Sequence, residues 1–274
     1  MSKYQSKLSQ ILNSIRIELI LSYRVPLLEG LIALVIAVSG LSFSAILFQD
    51  IGMNLPLNPS PFYNGAEAVQ NYLDLLSSRA MFAFYSAQSN CLFLLSIFVP
   101  LFFAVTFGKS FEDGSLRNLF SYPISRNRFV LVKVGMSMIL WYLPLVCIPL
   151  LMICLTFPPS IFPPYLFFIA FSTLLSIALL VVISFLLVVL LKSSSAAATI
   201  GILLGLGMAV LSFLPDLPFF PLIFLNPSKA IMNYILGLCP DVSVLSCHVG
   251  LGMVCSILIL IFIIGLAVFK RSEL

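Results

Sequence analysis

The stretch Tyr165–Leu191 reads YLFFIAFSTLLSIALLVVISFLLVVLL and carries no charged residue. A helix needs about 20 predominantly apolar residues to cross the hydrocarbon core of a bilayer, so this run is long enough to span one. Five further apolar blocks flank it, at about Pro26–Phe48, Ala80–Phe107, Val130–Phe157, Ala196–Leu214 and His248–Phe269. The whole chain has 274 residues, of which 61% are hydrophobic and 9% charged. Soluble domains average roughly 45–50% apolar and about 25% charged. Too few charged side chains remain here to coat a water-facing surface. The composition excludes an ordinary soluble domain and a disordered chain. The short alternating segments of a transmembrane β-barrel do not occur. The sequence therefore predicts an all-α integral membrane protein of six transmembrane helices.

Outward from these blocks, residues 1–25 place Leu8, Ile11, Leu12, Ile15 and Leu19 at helical spacing, with Lys3, Lys7, Gln10, Asn13 and Glu18 on other faces. This predicts an amphipathic helix lying at the membrane surface, followed by a transmembrane domain over 26–274. A loop is expected over Gln49–Arg79. The second block is long, so the span is expected to tilt or project. Pro144 and Pro149 predict a kink in the third. Lys192–Ser195 reads as a tight connection. Pro215–Cys247 is proline-broken. Its Asn226-Pro227-Ser228 start signal and Gly237 stop predict re-entrant or interfacial outer helices before the sixth span.

Basic residues set the orientation. With six spans, one side holds Lys3, Lys7, Arg16, Arg24, Lys109, Arg117, Arg126, Arg128, Lys133, Lys192, Lys270 and Arg271, and the other holds only Arg79 and Lys229. Both termini are expected in the cytoplasm, in a plasma (inner) membrane. The net charge of +4 serves this asymmetry, and no nucleic-acid partner is expected. Membrane lipid is an expected partner, the basic side meeting the anionic leaflet.

The most charged stretch lies between the second and third blocks: FEDGSLRNLFSYPISRNRFVLVK, Phe111–Lys133. Gly114 and Ser115 suggest a helix start, with Glu112 and Asp113 suited to its positive N-terminal end. Leu116, Leu119 and Phe120 form an apolar stripe, Arg117 and Asn118 face elsewhere, and Pro123 stops the helix. Arg126, Arg128 and Lys133 are expected to meet the inner leaflet. A charged, apolar-striped helix between two spans is a handle that a cytoplasmic partner can grip.

This stretch resembles the membrane subunits of ABC-2 type transporters, the permease class of ATP-binding-cassette exporters. That family carries Glu, then Gly-Ser/Thr, then Leu-Leu-Ser-x-Pro-x-Ser-Arg, then a Lys. Here Glu112, Gly114, Ser115, Leu119, Ser121, Pro123, Ser125, Arg126 and Lys133 match, and Phe120 stands where Leu is commoner. The resemblance extends to the surface helix, the six spans and the broken outer helices. It implies a half-transporter that pairs with a second copy of itself or a related permease. It also implies docking of two cytoplasmic ATPase subunits, which hold ATP and Mg. The segment from Glu112 to Arg126, with Asp113, Leu116 and Arg117 inside it, is implied to transmit their motion. It does not identify a substrate.

Gly108-Lys109-Ser110 echoes the end of a phosphate-binding loop, but Phe103 stands where the earlier glycine is required. No ATPase motif is present, so the chain is read as a transport subunit and not an enzyme. Gly201 and Gly205 form a GxxxG, read either as a dimer seam or as packing within the chain. Glu29 sits just inside the start of the first block, near Arg24, and is read as snorkelling to water, with an intramembrane functional group as the alternative. Gln88, Ser89 and Asn90 are read as helix-packing glue. Phe219, Phe220 and Phe224 are read as interfacial anchors, with gating of an exit path as the alternative. Cys239 and Cys247 can pair in an oxidising compartment. The single histidine, His248, has no metal-ligand neighbours, and no metal site is expected. The alternative function is an ion-coupled secondary transporter or channel, for which intramembrane carboxylates and internal repeats are the usual signs. Neither is seen apart from Glu29.

Overall fold

The computed structural model describes residues 27–52, 66–116, 125–156, 165–213 and 244–271. The surface helix over 1–25, the outer helices over 215–243, and Arg117, Leu119, Phe120, Pro123, Cys239 and the three phenylalanines near 220 lie outside the described residues. So does any pairing between Cys239 and Cys247.

Every regular element among the described residues is a helix. In lipid a backbone must satisfy its own hydrogen bonds, and a helix does so within one segment. The helices are α1 (Leu27–Gly52), α2 (Ala66–Phe103), a π-helical segment (Ala104–Gly108), α3 (Lys109–Glu112), α4 (Arg126–Thr156), α5 (Tyr165–Leu191), α6 (Ser194–Phe213) and α7 (Val244–Arg271). Four stretches are long and apolar enough to cross a membrane: Phe82–Glu112, Arg126–Thr156, Ile169–Leu191 and Gly252–Arg271. The shorter apolar stretches Glu29–Ala45 and Ser194–Gly207 belong to α1 and α6.

Two boundaries differ from expectation. The loop expected over Gln49–Arg79 is helical at both ends, because α1 runs to Gly52 and α2 starts at Ala66. The stretch is rich in Asn, Pro and Ser, and polarity does not prevent a helix from projecting beyond the apolar run. The connection before α6 is also shorter than expected, only Lys192 and Ser193. Lys192 adopts a left-handed backbone, φ 51°, and its N–H still bonds the Val188 carbonyl at 3.0 Å. It closes α5 in the manner usually left to glycine.

The helices α2 and α5 form the centre, with 61% and 67% of their apolar windows buried, against 28% for α4 and 17% for α7. Around α2 pack α6, α1, α5 and α4, while α7 rests mainly on α5. The outer faces of α4 and α7 expose Leu131, Ile139, Leu151, Ile259, Leu260 and Ile263. Water-facing surfaces rarely show such continuous apolar area, whereas lipid accepts it.

The closest helix approach has a readable cause. Pro100 lies inside α2 and has no N–H, so the Ser96 carbonyl four residues earlier loses its helical donor. Gly201 of α6 lies against the Pro100 ring, where an added Cβ would fall 2.6 Å from the proline Cβ. Gly205 lies against that Ser96 carbonyl, and an added Cβ there would overlap its oxygen. The GxxxG face is thus taken up within the chain, by α2. Small residues permit this, because helices in lipid associate through close packing and not through a hydrophobic force.

Gly205→Ala is expected to destabilise the detergent-solubilised protein by about 1–3 kcal/mol, the usual cost of overpacking. Gly207 has no described atom within 4 Å of such a Cβ, and Gly207→Ala is expected to be neutral or to gain up to about 1 kcal/mol from helix propensity. Thermal unfolding of the two variants side by side checks the difference.

Candidate functional site

The charged joint begins where α2 ends. The helix runs without a break from Ala66 through the π segment to Glu112. In the π segment the Lys109 N–H reaches the Ala104 carbonyl, five residues back. The wider turn inserts one residue, and such bulges often mark functional positions. Here it accompanies a cluster of aromatic rings centred on Phe107.

Phe107 is buried and its ring meets five others. Centroids lie 6.4 Å away for Phe103, 5.2 Å for Phe111, 6.0 Å for Phe129, 5.9 Å for Phe185 and 6.0 Å for Phe269. All fall within the range of favourable aromatic pairing. The six rings come from α2, the π segment, α3, α4, α5 and α7. Gly265 makes room on α7, since a Cβ there would come within 2.8 Å of the Phe185 ring. Single-sequence reading does not find this cluster, because a Phe in an apolar block is indistinguishable from a lipid-facing one.

Beyond the rings, the chain bends at Asp113 and Gly114. Asp113 N–H bonds the Lys109 carbonyl at 2.9 Å, and Gly114 N–H bonds the Phe111 carbonyl at 3.3 Å. Gly114 has φ +66°, a left-handed conformation that glycine adopts without the Cβ penalty. Helical residues resume at Ser115 and Leu116. Leu116 is buried in the main core, while Glu112, Asp113, Gly114 and Ser115 are exposed.

The helix expected after Glu112 lies outside the described residues beyond Leu116. The Glu112 carboxylate reaches α6: Oε1 accepts the Ser194 backbone N–H at 2.6 Å and Oε2 accepts the Ser194 hydroxyl at 2.7 Å. Ser194 is the first residue of α6, and its N–H is one of the donors that a helix start leaves unsatisfied. An anion there also meets the positive end of the helix dipole. The close approach depends on Gly108, where an added Cβ would lie 3.0 Å from the Ser194 Cα. Glu112 is the last residue of the Phe82–Glu112 stretch and is exposed.

On the far side of the joint, Arg126 opens α4. Its guanidinium donates to the Lys270 carbonyl at 3.3 Å, in the last turn of α7. A cation suits the negative end of a helix. Lys133, expected to meet the leaflet, is buried inside the bundle, because it shares the core-facing side of α4 with Val130, Val134 and Ser137. Glu29 is exposed in the first turn of α1.

The polar residues of the second span make contacts between helices. Asn90 donates from Nδ2 to the Ser42 hydroxyl of α1 at 3.0 Å. Gln88 meets Thr173 of α5, with Oε1 and Oγ1 2.5 Å apart, while the same hydroxyl lies 2.9 Å from the Ile169 carbonyl. One hydroxyl proton serves one acceptor, so the pair is satisfied when the Gln88 amide is turned to donate. Among the described residues no cluster of His, Cys, Asp and Glu could hold a metal ion, and Cys91, Cys147, Cys154 and Cys255 are free thiols.

No protein-family profile matches this chain, and no curated protein matches it.

Phe107→Ala is expected to cost on the order of 3–5 kcal/mol, as buried Phe truncations do. Phe111→Ala, at the half-buried edge of the same cluster, should cost less, and thermal unfolding in detergent reads both.

Proposed function

We propose that this chain is the membrane-spanning subunit of an ABC-2 type transporter. It forms the translocation path, draws energy from a separate cytoplasmic ATPase that binds ATP and Mg, and works as an exporter. In this reading α1 and α6 also cross the membrane, giving six spans, and both termini lie in the cytoplasm of a cell bounded by this plasma (inner) membrane. The observation that carries the proposal is the joint from Glu112 to Arg126. The residues that resemble the family motif fall there, and the flanking residues of that joint grip two other helices.

The physical argument is mechanical. A partner that moves a joint does work on the bundle only if the joint is stiff and tied to it. Gly114 fixes a left-handed bend, Leu116 is buried in the core, and the Phe107 cluster holds the ends of four long helices together. The basic residues Lys109, Arg126, Arg128, Lys192, Lys270 and Arg271 all lie at helix ends, where an anionic leaflet and an acidic partner surface would both be met. Two copies of the chain, or one with a related permease, would enclose the path, and two ATPase subunits would dock beneath. The ion-coupled alternative draws no support from the described spans, since Glu29 is exposed at a helix end.

Mild-detergent purification of the tagged chain from its native membrane tests the reading. An ATPase is expected to come with it in a ratio of roughly two to two, and a chain that purifies alone and moves solute without ATP overturns it. Gly114→Ala, which forces an L side chain into the left-handed region at roughly 1–2 kcal/mol, is expected to lower transport more than ATP hydrolysis in reconstituted vesicles.

A further inference from the structure

The joint Asp113–Ser125 is bracketed by two ionic side chains of opposite sign, and each grips the end of a helix far away in sequence. Glu112 holds the N-terminus of α6, 82 residues on. Arg126 holds the C-terminus of α7, 144 residues on. The signs match the poles: the anion sits at the positive end of one helix and the cation at the negative end of the other. Covalent continuity ties the joint only to α2 and α4. Neither α6 nor α7 is joined to it through the chain.

We propose that Glu112 and Arg126 are positioning residues that act as two pole clamps, passing displacement of the joint to α6 and α7 as well as to α2 and α4. The role of a moving joint rests on the transporter reading above. The clamps divide the work. Glu112 is braced from behind by the Gly108–Ser194 approach, where a push on α3 meets the α6 backbone directly. Gly201 and Gly205 seat α6 on Pro100 and Ser96 of α2, so α6 can only slide or tilt with that helix. Arg126 grips α7 beside Phe269, whose ring packs on Phe107, Phe111 and Phe185. The carbonyl contact ties α4 to a helix that otherwise packs mainly on α5. A joint clamped in this way moves the bundle as one body, and a joint without the clamps flexes at its own two helices.

Hydrogen exchange on the full chain in nanodiscs, followed helix by helix, tests this in two arms. In the first, no nucleotide is present. Glu112→Gln is expected to lose protection at the Ser194 amide and leave the last turn of α7 at the wild-type level. Arg126→Gln is expected to do the reverse, and Arg126→Lys to restore the α7 end. Wild-type exchange in both variants, or equal loosening of both helices by either one, overturns the clamps. This arm needs no ATPase. In the second arm the chain is held with its co-purified ATPase and trapped with ATP and vanadate. The wild type is expected to change protection at the starts of α6 and ends of α7 on trapping. Each variant is expected to lose that change in its own helix alone while ATP hydrolysis persists. Trapping changes that survive in both variants overturn the proposal. Absence of a co-purifying ATPase defeats the transporter reading, and the first arm then judges the clamps by itself.

Discussion

The burial of the Phe107 ring among five others governs the charged end of this protein. Helices in lipid gain little from hiding apolar area, because the tails around them are as apolar as their side chains. What remains is close, shaped contact. Phe107 provides it by meeting Phe129, Phe185 and Phe269 on three other helices, with Gly265 removing the side chain that would block the stack. The π segment beneath it sets the register. It adds one residue to the turn, and Glu112 then emerges against Ser194. With the rings fixed, Arg126 is held within reach of the Lys270 carbonyl. The rest of the joint depends on that placement.

A second pattern runs through the packing: a defect on one helix is answered on its neighbour. Pro100 deprives Ser96 of its donor, and Gly205 brings the α6 backbone onto the freed carbonyl. The start of α6 leaves an N–H without a helical acceptor, and Glu112 accepts it. The end of α7 leaves carbonyls without donors, and Arg126 supplies one. The Glu112 and Arg126 contacts lie at the exposed end of the bundle, while the Ser96 contact is a close backbone approach. Each repair is also a tie between helices. That is how a bundle with few charges ties its helices together at the charged end.

Some of this was legible in the residues alone. The helical class followed from composition and from runs such as Tyr165–Leu191, because lipid leaves helices and closed barrels as the spanning structures and the alternation of a barrel was missing. The joint was legible too, since Glu112, Gly114 and Arg126 stand together between apolar blocks, and the need for glycine at Gly114 is local, a left-handed turn. Gly201 and Gly205 announced a close contact by their spacing, but not with which helix. The choice between a second chain and α2 lies in Pro100 and Ser96, a hundred residues earlier, and only the fold brings them together.

The partners of the charges were likewise decided by tertiary structure. From the sequence, Glu112 belonged to the helix beginning beside it, because dipole rules are read along the chain. In the fold its carboxylate meets the start of α6, because the Ser194 amide lies against Gly108. Lys133 looked like a leaflet contact and is buried, because helical rotation about α4, not distance along it, sets which face a residue takes. Sequence therefore determined the material of the molecule: apolar helices, a polar joint, and glycines where backbones meet. Tertiary structure determined which helix answers which, because in a membrane the pairing energy resides in a few close contacts between residues far apart in the chain.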